Sequence, residues 1–343
     1  MELTQERDKS VADKFVEDKL SGDLTHYAFF PLQHPELYQY YAKQKSVFWV
    51  AEEIDYVTDR SDWDRLDEKT KEYVRFLLFL FAQLDGIVNE NLVDNLKKET
   101  SFSKECSMFY SLQETIEWTH NETYSNLIMA LIRDPEEQRR GLNSIQHYPE
   151  IKAIAAWAFR WMTSDIPLLQ RLIAFACIEG IVFSSAFAGI YWIKKKNVLR
   201  GLTQANEWIA RDENYHTEFP VALYHVLTSG RLLRNGEWLQ ALEQRDVHAI
   251  ISSAVEVTES FTRGAMRNEL VGLSSDDMVA YVKSTADHLS RALGYEAIYK
   301  IPNPLDWMVI ISLPNKTNFF EKTVTEYARH TESDFTFDLD ADF

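Results

Sequence analysis

Residues 172–193, LIAFACIEGIVFSSAFAGIYWI, are long and apolar enough to cross a bilayer, yet a carboxylate, Glu179, stands near their centre. An isolated charge in an apolar surrounding is costly, so Glu179 has to be paired, protonated or bound to a cation. A membrane span is the weaker reading, because the run would be the lone span in an otherwise acidic, soluble chain. A helix apolar on all sides reads instead as the buried centre of a large helical bundle. The segment FLLFLFAQLDGIVNENL poses the same problem a second time, with Asp85 inside its apolar core.

Two Glu-x-x-His pairs answer it. In QETIEWTHNETY, Glu117, His120 and Tyr124 fall at i, i+3 and i+7, so a helix carries a carboxylate, an imidazole and a phenol on one face. ARDENYH repeats the pair as Glu213 and His216. Asp85 precedes Glu117 by 32 positions and Glu179 precedes Glu213 by 34, intervals that suit one helix running up and the next running down. Four helices would then aim four carboxylates and two imidazoles at one depth, the ligand arrangement of ferritin-like di-metal carboxylate bundles. Four clustered carboxylates repel one another until most are protonated or cations neutralise them. The nitrogen and oxygen ligand set suits two iron or two manganese ions; zinc prefers more nitrogen or sulfur, and calcium uses no imidazole.

Composition supports one all-α domain. The 343 residues include only 11 Gly and 9 Pro, and no stretch rich in Gly, Pro or Ser divides them. We expect an N-terminal arm at 1–24, a helical bundle at 25–312 and a C-terminal tail at 313–343. A net charge of −17 argues against nucleic acid or an anionic membrane as partner, and Lys194 to Lys196 read as a favourable helix C-terminus. There is no phosphate-binding glycine loop. The two cysteines, Cys106 and Cys177, form no zinc or redox spacing, and MELTQERDKS does not read as a signal peptide, so the cytoplasm is expected.

Helices are expected from Pro35 to Trp49, from Asp67 to Lys97, from a Ser103 cap to Leu131, and over 134–143 and 149–162. Others follow from Pro167, from Leu202 to Ser229, and over 235–268 and 275–293. Pro220 should free the carbonyl of His216 and kink its helix. Tyr124 lies one turn beyond His120, close enough for a metal pair that passes electrons to oxygen to oxidise it. Phe183 and Phe187, at i+4 and i+8 from Glu179, would wall that phenol with carbon, and Asp212 would accept a ligand imidazole N–H.

The chain resembles the small, radical-generating subunit of class I ribonucleotide reductase, of the eukaryotic and large-DNA-virus type. The likeness runs from about residue 25 to the end and is carried by FFP, SVFWVAEEID, LDGIVNENL, EWTHNETY, AFACIEGIVFSSAFAGIYW, RDENYH and the terminal DLDADF. It implies that Asp85, Glu117, His120, Glu179, Glu213 and His216 bind two irons and that Tyr124 becomes a stable radical in a pocket of Phe183, Phe187 and Ile209. It further implies a radical route through Trp49, Asp212 and the tail residue Tyr327, with Asp212 bonded to His120. The resemblance also implies a homodimer, and a large catalytic subunit on which the final residues dock; Phe337, Leu339 and Phe343 are the apolar anchors of that tail. Pro220 departs from the family pattern. Reduction of a ribonucleotide needs a dithiol and a nucleotide site, and the chain shows neither, which agrees with a division of labour. An iron-storage bundle or a di-iron desaturase or hydroxylase would share the ligands but would not use Tyr124 and the acidic tail. A purely structural interaction protein would leave the buried acids unexplained.

Overall fold

The computed structural model describes residues 13–308, apart from 18, 22–23, 25–26, 164, 233–237, 269 and 306–307. Most of the arm and the whole 313–343 tail, with Tyr327, Phe337, Leu339 and Phe343, lie outside the described residues. From Pro35 the chain forms α1 (Pro35–Ser46), α2 (Tyr56–Arg65), α3 (Glu68–Asn91) and α4 (Lys104–Leu131). Shorter helices α5 (Pro135–Gly141), α6 (Ser144–His147) and α7 (Pro149–Trp161) lead to α8 (Leu168–Cys177) and α9 (Ser184–Lys195). Then come α10 (Arg200–Thr228), α11 (Gln244–Ala265) and α12 (Ser275–Ala292), and no β-strand occurs among the described residues.

Local chemistry sets the helix ends. Asp67 accepts the Thr70 N–H at 2.9 Å to start α3, and Ser103 accepts the Cys106 N–H at 3.3 Å to start α4. The expected first helix stops at Ser46, because the run Val47–Phe48–Trp49–Val50 is β-branched and aromatic and prefers extended backbone. The helix expected from 235 begins only at Gln244. Ahead of it Leu242 is held on both sides, its N–H donating to Tyr224 Oη at 3.0 Å and its carbonyl accepting from Tyr295 Oη at 2.7 Å.

At the centre α3 packs on α4, and α8 with its continuation packs on α10, while α11 and α12 cover α8 and α9 from outside. The 172–193 run lies inside the core along its length, so its apolar character serves burial within protein. Between α8 and α9 the backbone takes one π-helical turn, Ile178–Val182, which carries Glu179. A second π turn, Leu92–Leu96, follows α3.

The register of α10 is fixed from α2. Asp59 accepts the N–H groups of Gly201 at 2.8 Å and Leu202 at 2.6 Å, capping α10 with a side chain from another helix. A Cβ on Gly201 would come within 2.2 Å of the Asp55 carbonyl, so only glycine allows this approach. The clamp sets the depth of Glu213, about 18 Å further along the helix axis. Pro220 does not interrupt α10, which runs unbroken from Arg200 to Thr228.

Candidate metal centre

Four helical segments deliver six ligand-type side chains to one buried point: Asp85 from α3, Glu117 and His120 from α4, Glu179 from the π turn, and Glu213 and His216 from α10. The most exposed of them, Glu213, shows 2% of its surface, so none can rely on water to stabilise charge. Their ligand atoms form two groups, each lying within 4.8 Å of one another: Asp85, Glu117 and His120, and Glu117, Glu179, Glu213 and His216. Glu117 belongs to both. Glu213 also reaches both imidazoles, with its carboxylate oxygens 3.0 Å from His120 Nδ1 and 3.0 Å from His216 Nδ1.

The donor set fits cations better than it fits itself. Asp85 Oδ2 and Glu179 Oε2 are buried and have no hydrogen-bond partner, and Glu117 Oε2, His120 Nδ1 and Glu213 Oε1 meet one another only as close charges without an aligned hydrogen bond, although buried polar atoms are almost always satisfied. Two divalent ions, one per group, would take up these lone pairs and neutralise the acids. Left to protons alone, the six groups must share them. Burial, reinforced by the charge of Glu117, pushes Asp85 well above the usual carboxylate range, and burial with Glu213 and Glu117 does the same to Glu179. Burial also opposes charge on Glu117, but His216 and His120 outweigh it and pull this carboxyl down to about 2. Against the same burial, Glu117 and Glu213 hold His216 up at about 9, and Asp212, Glu117 and Glu213 hold His120 well above its ordinary value.

Loading of the centre therefore expels protons. Groups whose pKa is raised keep their protons at neutral pH until a cation displaces them, so affinity rises with pH and falls on acidification. Titration calorimetry of a divalent ion in two buffers of unequal ionisation enthalpy should show net proton release near pH 7, with weaker binding at pH 6. Binding without proton release would contradict the protonated state of Asp85 and Glu179.

Around the six groups lies a second layer. Gln113, one turn before Glu117, donates from Nε2 to Glu117 Oε1 at 3.2 Å and Glu179 Oε1 at 3.1 Å, tying ligands of two helices together. Asp212 is buried; its Oδ2 lies 3.3 Å from His120 Nε2 and accepts Trp49 Nε1–H at 2.7 Å. The Trp49 ring stacks on His120 with centroids 6.0 Å apart, and Trp208 meets it edge-on at 5.2 Å. Arg211 donates to Asp212 Oδ1 at 3.2 Å and to the Val47 carbonyl at 2.7 Å, which holds the Trp49 segment against α10.

Tyr124 is fully buried and its hydroxyl has no hydrogen-bond partner. Burial, with the nearby charge of Asp85, pushes its phenol well above the ordinary value. Phe81 lies flat on the Tyr124 ring at 4.4 Å, with an interplanar angle of 2°. Phe183 and Phe187 pack behind Phe81 at 5.4 and 5.0 Å, and Ile209 is buried in the same core. Phe81 was not among the residues read from the sequence, although its position one turn before Asp85 puts it on the ligand face of α3. Gln113, at i−4 from Glu117, was legible by the same rule. Gln44, which reaches His216 from α1, carries no such signal.

An all-α bundle that buries two Glu-x-x-His pairs and two further acids at its centre is a ferritin-like di-metal carboxylate protein. Residues 26–304 match the family described as ribonucleotide reductase, small chain, and the chain belongs to that family. It is 38% identical over 313 residues to the ribonucleoside-diphosphate reductase small chain of Nicotiana tabacum, covering 91% of this chain and 92% of the relative. The corresponding small chain of vaccinia virus (strain Ankara) is 37% identical over 331 residues, covering 96% and 100%. Among solved structures, the ribonucleotide reductase Rnr4 homodimer from Saccharomyces cerevisiae superposes with a TM-score of 0.71 at 27% identity, covering 95% of this chain and 98% of that one. The activity is thus that of ribonucleoside-diphosphate reductase, in which this chain is the small subunit with the buried di-metal site.

Proposed function

We propose that the chain holds two iron ions, uses them to oxidise Tyr124 to a stable radical, and lends that radical to a large catalytic subunit. The observation that carries this reading is the pairing of the orphaned ligand cluster with a partnerless, carbon-walled phenol on the next turn of the same helix. Asp85, Glu117 and His120 would hold one ion, and Glu179, Glu213 and His216 the other, with Glu117 shared between them. Bound iron supplies the reduction of oxygen and, with it, a one-electron oxidant beside Tyr124. Manganese uses the same ligand types and is the alternative occupant.

The chain's own residues do the rest. Phe81 covers the Tyr124 ring, with Phe183 and Phe187 packed behind it and Ile209 buried in the same core, so an oxidised phenol there would be shielded from water. His120, Asp212 and Trp49 form a contiguous chain from the ligand cluster to a tryptophan flanked by the exposed Phe48 and Val50. Asp212 accepts from both rings and can carry a proton as charge passes, which makes Trp49 the natural exit of the bundle. Tyr327, outside the described residues, is assigned to the same route. The reading is tested by adding Fe(II) and oxygen to the purified chain, with metal analysis and low-temperature electron paramagnetic resonance. Two irons per chain with a tyrosyl signal support it; a loaded protein with no radical refutes it.

The tail belongs to the same proposal. Phe337, Leu339 and Phe343 alternate with acids, a pattern of apolar anchors suited to a partner groove, and we assign them to docking on the large subunit. Ordering entropy subtracts from the contact energy, so two tails of a homodimer would have to engage together for useful affinity. The yeast relative was solved as a homodimer. Deleting 337–343 should leave metal content and radical intact while abolishing turnover with the large subunit at low protein concentration, and a peptide of those residues should compete with the full chain. Normal turnover by the truncated chain would remove the tail from the docking role. We place this assembly in the cytoplasm, where the two buried cysteines stay reduced.

A further inference from the structure

Both ligand imidazoles face the cluster in the same way but are backed by different chemistry. His120 turns Nδ1 toward Glu213 at 3.0 Å and Nε2 toward the Asp212 carboxylate at 3.3 Å. His216 turns Nδ1 toward Glu117 at 2.8 Å and Glu213 at 3.0 Å, and its Nε2 meets the side-chain amide of Gln44, in the last turn of α1. Gln44 is completely buried. Its Nε2 is the atom against His216, while its Oε1 has no hydrogen-bond partner.

A carboxylate can only accept. Asp212 therefore keeps a hydrogen on His120 Nε2 and leaves Nδ1 as a lone pair for metal. An amide carries an N–H₂ donor and a carbonyl acceptor on the same end of one side chain, exchanged by half a turn about its last torsion. The nitrogen end of the Gln44 amide is the one placed against His216 Nε2 here, and a half turn exchanges it for the oxygen. When Nδ1 gives its lone pair to a cation, Nε2 must carry the hydrogen, and two donors cannot face one another at this separation. Turning the amide brings Oε1 onto Nε2–H and gives that orphaned atom its partner.

We propose that Gln44 is the positioning residue of the second metal site: its amide oxygen accepts the Nε2–H of His216 and fixes the ring in its coordinating form. A neutral amide does this without competing for the ring's proton. Gln44 thereby makes the two imidazoles unlike, one backed by an anion that also holds Trp49, the other by a neutral group with no link to that tryptophan. The inference rests on the two-ion reading given above.

The test compares wild type, Gln44→Met and Gln44→Glu as full-length chains, titrated anaerobically with Fe(II), and separately with Mn(II), against a chelating dye. Methionine keeps the volume but cannot accept from Nε2; glutamate keeps the acceptor. Wild type should bind two ions. Gln44→Met should bind one ion as wild type does and the other about 10- to 100-fold more weakly, the usual effect of removing an outer partner of a ligand histidine. Gln44→Glu should bind both within a few-fold of wild type. Circular dichroism melts with chelator present check that each variant folds. Two ions held by Gln44→Met at wild-type affinity would show that Gln44 only fills space, and a Gln44→Glu chain that loses an ion as the methionine chain does would equally overturn the proposal. If Gln44→Met does not fold, Gln44→Glu decides alone, since it must still hold both ions. A wild-type chain binding fewer than two ions would instead refute the two-ion reading, an outcome distinct from either.

Discussion

Tyr124→Phe is expected to bind both metals and fold as the parent does, yet yield no stable radical and no ribonucleotide reduction above background. The phenol hydroxyl makes no hydrogen bond that its loss would break, and the ring stays stacked on Phe81, so stability should change by no more than about 1 kcal/mol. Only the oxidisable group is removed. The same isolation that makes the substitution structurally mild makes it chemically severe, because the phenol that the carbon wall protects is gone. Spectra taken after Fe(II) and oxygen, alongside metal analysis and a melting curve, separate the three quantities. A tyrosyl signal of full strength in this variant would move the radical to another of the sixteen tyrosines.

Glu117→Ala is expected to lose both ions together, unlike a substitution at Asp85 or Glu179, each of which stands in only one of the two groups. Truncating the shared carboxylate takes an oxygen from each position. It also removes the counter-charge that holds His216 and His120 protonated when no metal is present. Leaving buried imidazoles without that partner should destabilise the metal-free chain by about 3 kcal/mol, unless they shed their protons. Gln113, which donates to Glu117 Oε1, is left holding Glu179 alone. Metal content per chain and melting in chelator are the measurements. Two ions retained with an unchanged optical spectrum would show that the ligand set is wrongly drawn.

Much of this centre can be read from spacing, because an α-helix converts i, i+3 and i+7 into a shared face. Glu117, His120 and Tyr124 needed nothing more, and the matched intervals to Asp85 and Glu179 put four acids at one depth. Asp212 is a different case: beside Glu213 it could equally have been a surface acid, and only packing shows it buried between His120 and Trp49. Gln44 was illegible because α1 meets α10 across 172 positions of sequence, and no local rule spans that distance. Helix boundaries were legible where a capping side chain stood at the end, as at Asp67 and Ser103. They were misjudged where a tertiary contact decided, as at Leu242, held by Tyr224 and Tyr295. Phe81 was passed over because an aromatic in an apolar run resembles any other core residue until its neighbour is known to be Tyr124.

The π turn at Ile178–Val182 bears on how such a site can change over generations. A π turn is an α-helix that has taken in one residue, and each added residue rotates everything after it by about 100° relative to everything before. Glu179 and the pair Phe183 and Phe187 are thus set on their faces by an insertion, something no exchange of side chains could accomplish. Loss of one codon in this stretch would keep almost every residue of the chain and still swing the carboxylate and the aromatic wall apart. Relatives carrying all six ligand residues but one position fewer between Cys177 and Ser184 should therefore be sought among chains that have abandoned the radical while keeping the bundle.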